Sequence, residues 1–283
     1  MKLAIVTATT DLARALTCIR SWQDHAITSP KMVTVINGPK GDQPSSDSYL
    51  CVKHYLGTVS AFRQGVDQLL ETDAEIIACL HDDFEIHEIG WDRKVIRHFE
   101  RNPACGLLGF GGAVGLGDSD LYQKPYNPMS LARIGFRSNL VDAEQHGIRS
   151  LLPEKVACLD GFSQVGRRDF WQGLWSPMKR DLEARSSHPT PPSVVVRPWT
   201  YLEDLGIVHH FYDGALGCLA RRYGWEVWYL PLRGQHFGGR TAVGDAGYQE
   251  WAKSKIPGGD QGFWEHAHKI AYDTFTAVLP IRV

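Results

Sequence analysis

Glu75-Ile76-Ile77-Ala78-Cys79-Leu80-His81-Asp82-Asp83 is the stretch on which the reading turns. Glu75–Leu80 is apolar on both faces, as in a strand covered on both sides rather than a half-exposed one. The next three residues are all polar. In open α/β sheets, ligands bind at the carboxyl ends of the strands. Two adjacent acids at such an edge repel each other and lose solvation, and a divalent metal bridging phosphates is the common compensation. A solvated turn or a helix cap is the other reading of the same pair.

Working outward, the chain before this strand alternates strand and helix. Leu3–Val6 reads as a strand. Asp11–Asp24 reads as a helix, since Leu12, Ala15, Leu16, Ile19 and Trp22 recur at steps of three and four, with Thr10 or Asp11 as cap. Met32–Ile36 is a second strand, closed by the turn residues Asn37-Gly38-Pro39. Thr58–Leu70 is helical, with Val59, Phe62, Val66 and Leu69 on one face. After the acid pair, Trp91–Glu100 is a helix and Cys105–Phe110 a strand. This alternation predicts an α/β fold with a mostly parallel sheet covered by helices.

Beyond that point the pattern weakens. Gly106–Gly117 is glycine-rich, and Asp118–Pro198 shows prolines, scattered Arg and Trp, and little periodicity. Ser186–Pro198 reads as an exposed flap. Tyr212–Tyr223 is a helix closed by Gly224, and Glu226–Leu230 a strand ended by Pro231. The glycine-rich tail Gly238–Gly262 reads as mobile, and flap and tail together read as loops that close over a ligand.

Composition narrows the function classes. The 283 residues are 43% hydrophobic and 22% charged, with nine Trp and ten Tyr, as expected of a globular enzyme rather than a disordered chain. A net charge of −2 leaves no whole-protein positive field to gather nucleic acid or anionic lipid. No apolar run reaches the roughly 18 residues of a membrane span, and the short run at the N-terminus is no signal-peptide core. Six cysteines lie far apart with no C-x-x-C pair, which suggests buried thiols in a reducing, cytoplasmic setting rather than a zinc site. Gly109 and Gly111 are followed by Val114 where a dinucleotide fingerprint needs its third glycine, so NAD binding is excluded. Walker, H-E-x-x-H and G-x-S-x-G motifs are missing.

Two further features carry chemistry. His236 follows a strand end, flanked by Gly234, Gly238 and Gly239, and a neutral imidazole there suits Mn²⁺ or a similar ion; an ordinary loop histidine is the alternative. His209-His210-Phe211-Tyr212-Asp213 opens a helix, and Asp213 sits in its first turn, where an anion is stabilised in any case.

The order of these features resembles the family 2-like glycosyltransferases of the GT-A fold, in the branch with an HDD metal motif and an H-x-Y-D helix start. The resembling segments are Leu3–Thr10, Val33–Pro39, Gly57–Leu70, Ile76–Ile86, Leu159–Arg168, His209–Gly224 and Glu226–His236, about four-fifths of the chain. The resemblance implies one GT-A-like domain over 1–283. Residues 1–117 would bind the nucleotide sugar, 118–237 the acceptor, and 238–283 would be lid and tail. It also implies the roles. Thr7, Ala8, Thr9 and Asn37 would line the base and ribose pocket, and Arg63 would face the nucleotide. Asp82 and Asp83 would stand for the D-x-D motif, with Asp83 the metal ligand and His81 in the place of the usual first acid. His236 would be the late metal or pyrophosphate ligand, Asp160 and Gly161 would open the acceptor loop, and Asp213 would be the base of an inverting enzyme. The cofactor would be Mn²⁺ or Mg²⁺ and the donor a nucleotide sugar, UDP-sugar foremost. Trp171, Trp175 and Tyr212 are candidate walls for the acceptor, or plain core aromatics.

A nucleotidyltransferase can share the sheet and the acid pair but usually needs a basic glycine loop early in the chain, which Thr7–Asp11 does not provide. A non-catalytic sugar- or nucleotide-binding protein would not need Asp83, Asp213 and His236 together. The acceptor stays open between glycan, lipid-linked sugar, protein and nucleic-acid base. Gly166–Arg185, which mixes Arg, Lys and Trp, suits either a phosphate backbone or a solvated flap.

Overall fold

The first strand explains why the sheet forms as it does. In β1 (Leu3–Thr9), Leu3 and Ile5 point into one apolar cluster while Ala4 and Val6 point into another. β4 (Ile76–Leu80) divides the same way, with Ile77 and Cys79 on one side and Ile76, Ala78 and Leu80 on the other. Every residue of β4 is buried, so the apolar run of the sequence is a strand at the heart of a covered sheet. The computed structural model describes residues 1–38, 46, 48–52, 54–117, 133–142, 147–184, 196–238, 246–279 and 281–283.

α1 (Leu12–His25) is capped by Asp11, whose carboxylate accepts the backbone N–H groups of Ala13 and Arg14. β2 (Lys31–Asn37) and β3 (Tyr49–Val52) follow, then α2 (Thr58–Leu70). β4 leads through the acid pair to β5 (Phe84–Ile86), α3 (Trp91–Arg101), β6 (Cys105–Gly109) and β7 (Gly111–Leu116). β8 (Arg133–Ser138), β9 (Val141–Asp142), β10 (Glu154–Lys155) and β11 (Cys158–Leu159) precede β12 (Ser163–Arg167), α4 (Arg168–Trp171) and α5 (Pro177–Ala184). The last third holds α6 (Pro198–Asp204), α7 (Tyr212–Arg222), β13 (Glu226–Tyr229), β14 (Gly234–His236), two helices at Ala246–Lys255 and Asp260–Phe275, and β15 (Ile281–Arg282).

The large sheet runs β10-β13-β6-β12-β4-β1-β2-β3. β1 pairs parallel with both β2 and β4, and β2 with β3. β12 lies antiparallel between β4 and β6, and β6 pairs parallel with β13. From β1 the chain builds outward to β2 and β3, then returns to place β4 on the other flank. That reversal is a topological switch point, where the loops at the carboxyl ends splay apart and leave a crevice. α2 packs close enough to line it. Gly65 in α2 lies so near β1 that a Cβ there would stand 2.3 Å from Cγ1 of Val6, so no larger side chain fits without moving the helix.

Two expectations need correction. The stretch after Asp118, read as a loop-rich insert, contributes β12 to the centre of the sheet. Ser163-Gln164-Val165-Gly166-Arg167 offers a single branched apolar residue, so no strand pattern shows in it. It is buried nonetheless: Ser163 Oγ accepts the Phe110 N–H, and Gly166 leaves room for the Trp171 indole to lie against it. The tail Gly238–Gly262, read as loop, holds the helix Ala246–Lys255, with Tyr248 and Ala252 buried, and the start of the helix Asp260–Phe275. Phe263, Ala267, Ala271 and Phe275 are buried at four-residue steps along the last helix. The expected flap at 186–195 and the tail's residues 239–245 lie outside the described residues.

Burial of histidines sets an acid limit. Burial pushes the His98 imidazole from its ordinary 6.5 down to about 4, and His209 down to about 3. The unfolded chain then binds protons near pH 6.5 that the folded chain refuses, so stability is lost as pH falls from 6.5 toward 4. The melting temperature is expected to be lower at pH 5 than at pH 7. A flat or rising profile over that interval would contradict it.

Candidate functional site

A cleft of about 200 Å³ opens at the carboxyl ends of β1, β2 and β4. It is lined by Ala8 and Thr9 at the end of β1 and Thr10 just past it, Asn37 at the end of β2, Leu56, Thr58 and Phe62 around the start of α2, and His81, Asp82 and Asp83 after β4. His209, His210 and Tyr248 close the remaining wall. Register explains the first part. Val6 pairs with Cys79, so Ala8 and Thr9 run level with the residues just past the end of β4. Thr9 Oγ1 accordingly reaches Asp82 Oδ2 at 2.5 Å.

The two acids have different partners. Asp82 Oδ2 also receives Arg14 Nη2 at 2.6 Å. Burial raises the Asp82 pKa despite Arg14 and Thr9, while Arg14, itself partly desolvated, is held protonated by Asp82. Burial acts in the same direction on Asp83, but the imidazoles of His236 and His81 outweigh it and bring this carboxyl down to about 2. The pair is therefore split: Asp82 is tied to a cation of the chain, and Asp83 is an anion facing two histidines.

Those histidines arrive by different routes. His81 directly follows β4, stacks on Phe62 at 6.0 Å, and its Nε2 hydrogen-bonds the Tyr212 hydroxyl at 2.7 Å. That contact leaves Nδ1 facing Asp83 Oδ1 at 3.8 Å. His236 comes from β14, which pairs antiparallel with β5 so that His236 stands opposite Phe84, the residue after Asp83. The Phe237 N–H donates to the Asp83 carbonyl at 2.9 Å, and His236 Nε2 lies 3.4 Å from Asp83 Oδ1. One donor atom from each of His81, Asp83 and His236 fits within 4.8 Å. Around an ion with bonds of about 2.1 Å, ligand atoms sit roughly 3 to 4 Å apart, so these three need little movement to share one. Burial lowers the His81 pKa, which favours the neutral imidazole, the form that ligates. Two nitrogens and one oxygen suit Mn²⁺ or Zn²⁺ better than Mg²⁺, which prefers oxygen.

Tyr212 links this cluster to a second one. Its hydroxyl donates to the Gly161 carbonyl at 3.0 Å, and a Cβ on Gly161 would fall 2.5 Å from that hydroxyl oxygen. Beside Gly161 and Tyr212 stand Asp160 and Asp213, both held by Arg133: Nη1 is 3.3 Å from Asp160 Oδ2 and 3.1 Å from Asp213 Oδ2. Asp213 Oδ1 accepts the Gly214 N–H at 2.8 Å. The residue before this helix, Phe211, has φ 57°, a left-handed conformation that a non-glycine residue adopts at a cost of about 1 to 3 kcal/mol.

Several expected site residues lie elsewhere. Thr7 is fully buried and takes no part in the lining. Arg63 turns away from the cleft to Glu203, at 2.7 Å, and to Asp67. Trp171 is core: 1% exposed, stacked on Trp199, and donating to the Ile77 carbonyl. Trp175 is half-buried under Lys179. Asn37 does line the cleft, but its amide is engaged with Leu56, donating to its carbonyl and accepting its N–H. In the Arg/Trp-rich segment, Arg167 and Arg168 donate to backbone carbonyls, among them Phe99 and Cys105 for Arg167 and Thr72, Ala74 and Leu70 for Arg168, so these two do not form a phosphate grip. Arg14, Arg133 and Tyr248 belong to the site without having been expected there. Arg14 and Arg133 are chosen by tertiary pairing, which leaves no mark on the sequence. Tyr248 was detectable through the apolar spacing of Tyr248, Trp251 and Ala252.

The Tyr212 hydroxyl fixes the orientation of His81, so Tyr212→Phe is expected to weaken Mn²⁺ binding about 10- to 100-fold, the usual effect of losing a ligand's orienting partner. Calorimetric titration with the metal alone measures it. Unchanged affinity would show that His81 is held by its packing on Phe62.

No protein-family model matches the chain, and no curated protein matches it. Among solved structures, the crystal structure of A197 from STIV shares 12% identity over 84% of this chain and 87% of that chain, with a TM-score of 0.40. A likeness at that level says nothing about chemistry.

Proposed function

We propose that the protein is a metal-dependent, inverting glycosyltransferase of the GT-A type, moving a sugar from a nucleotide donor to a hydroxyl acceptor. The observation that carries this reading is the convergence of His81, Asp83 and His236, the first two of which line a cleft at the sheet's switch point. Open α/β sheets take nucleotides at that position. The cleft offers backbone and hydroxyl groups at Ala8 and Thr9 and an apolar floor at Leu56 and Phe62, a mixture that suits a nucleoside.

His81, Asp83 and His236 would hold Mn²⁺, which supplies positive charge for the leaving diphosphate. The remaining roles fall to the chain. Thr9 and Arg14 keep Asp82 in place beside the donor. Asp213 takes the proton from the acceptor hydroxyl as that oxygen attacks the anomeric carbon from the face opposite the diphosphate. The C1–O bond to phosphate breaks and the nucleoside diphosphate leaves with the electron pair. Arg133 positions the Asp213 carboxylate and, with Asp160, frames the acceptor. A glycan is the acceptor class favoured, since the described arginines of the Gly166–Arg185 segment include two committed to backbone carbonyls.

A thermal-shift panel of nucleotide sugars, each with and without Mn²⁺, tests the reading. A UDP-sugar is expected to raise the melting temperature only when Mn²⁺ is present. Equal shifts with and without the metal, or none with any donor, would count against it.

A further inference from the structure

His209 and His210 opened the motif that supplied Asp213, yet the proposed reaction uses neither. Both line the cleft together with the residues at the ends of the switch-point strands. His210 Nε2 lies 2.8 Å from Oδ1 of Asp260, the first residue of the last helix and fifty positions further along the chain. The Tyr248 hydroxyl donates to that same oxygen at 2.8 Å. His209 Nδ1 shares a hydrogen bond of 2.6 Å with Thr58 Oγ1, and its ring packs edge-on against His210. One donor atom each from His209, His210 and Asp260 fits within 4.8 Å, the same compactness as the His81, Asp83 and His236 set.

We infer that His209, His210 and Asp260 form a second divalent-cation site in the same cleft. The ligand chemistry repeats that of the first: two imidazoles and one carboxylate, suited to Zn²⁺, Mn²⁺ or Co²⁺ rather than Mg²⁺. Its supporting contacts are also of the kind metal ligands have. Tyr248 orients the carboxylate and Thr58 orients one imidazole, and such outer partners fix the ligand rotamers. His209 and His210 line the cleft and all three ligands are half-buried, which leaves coordination positions open to a ligand lying there. An anionic group lying in the cleft would then meet two cations rather than one. The inference concerns metal binding alone and does not depend on the glycosyltransferase reading.

Titration of the metal-stripped protein with Co²⁺, followed by calorimetry and by the visible absorption of the bound ion, tests it. Two ions per chain are expected in the parent. Asp260→Asn and His210→Ala, made separately, should each leave one ion, and Asp83→Asn should leave the other. The two substitutions on the His209 wall change different elements, so a folding defect in one does not remove the other; a far-ultraviolet spectrum identifies it. A parent that binds one ion lost on Asp83→Asn, a parent that binds none, or folded Asp260→Asn and His210→Ala variants that still bind two would each overturn the proposal.

Discussion

Asp83→Ala is expected to lower Mn²⁺ affinity, and with it metal-dependent donor binding, by roughly 100-fold or more, beyond the 10- to 100-fold typical of losing an outer partner. The carboxylate is the one anion between His81 and His236, at 3.8 and 3.4 Å. Without it, two imidazoles remain, and they supply no negative charge to offset the dehydration of a dication. The fold should survive the change. The contact that ties the end of β14 to this turn is made by the Asp83 backbone carbonyl and the Phe237 N–H, which the substitution keeps. The turn is also held from below: Cys18 Sγ donates to the Asp82 carbonyl, and the Trp22 indole donates to the Phe84 carbonyl. Calorimetric titration with Mn²⁺, beside a melting curve, separates the two effects. A folded Asp83→Ala protein that binds the metal and donor as tightly as the parent would remove Asp83 from the ligand set.

Asp213→Asn is expected to lower transfer by roughly 10²- to 10⁴-fold, the usual contribution of a positioned base. Asparagine keeps the shape and can still accept the Gly214 N–H, but it cannot take a proton and loses its charge pairing with Arg133. Metal and donor binding should be unchanged, because none of the residues lining the donor cleft is altered. A fall in turnover with donor affinity preserved places the residue in the chemical step rather than in the fold. The product should carry the anomeric configuration opposite to the donor's. Near-parental turnover in Asp213→Asn, or a retained configuration, would mean that another group accepts the proton or that the mechanism is a different one.

Much of the architecture could be read in the chain because its periods are clear. The spacing of Val59, Phe62, Val66 and Leu69 gives α2 its observed bounds, Thr58–Leu70. The double-faced apolar run before His81 is β4, and its burial on both sides follows from that composition. β12 was hidden because a central strand beside glycines and a large indole can do without branched side chains: Gly166 and Trp171 fill the space together. The helices of the tail were hidden by Gly238, Gly244, Gly247, Gly258, Gly259 and Gly262, which drew the reading toward a loop even though Phe263 to Phe275 keeps a helical period.

The site was legible to a different depth. Asp83 and His236 were marked by their place after apparent strand ends, and Asp213 by its place in the first turn of a helix. Their partners were not marked. Arg14 meets Asp82 across 68 positions and Arg133 meets Asp213 across 80, and only the closed fold defines either pair. His81 stood in view as the residue in place of an acid; the Tyr212 hydroxyl bonds its Nε2 and leaves Nδ1 facing Asp83. Arg63 was misplaced: it pairs with Glu203 and Asp67 and does not line the cleft.

The central claim concerns which bond of the donor breaks. Incubating the protein with a UDP-sugar and Mn²⁺, and separating the nucleotide products with and without a chelator, measures it directly. The account predicts slow release of the nucleoside diphosphate, dependent on the metal, lost in Asp83→Ala and accelerated by a suitable hydroxyl acceptor. Release of nucleoside monophosphate with sugar phosphate would mean cleavage between the phosphates, as in nucleotidyl chemistry, and would contradict it.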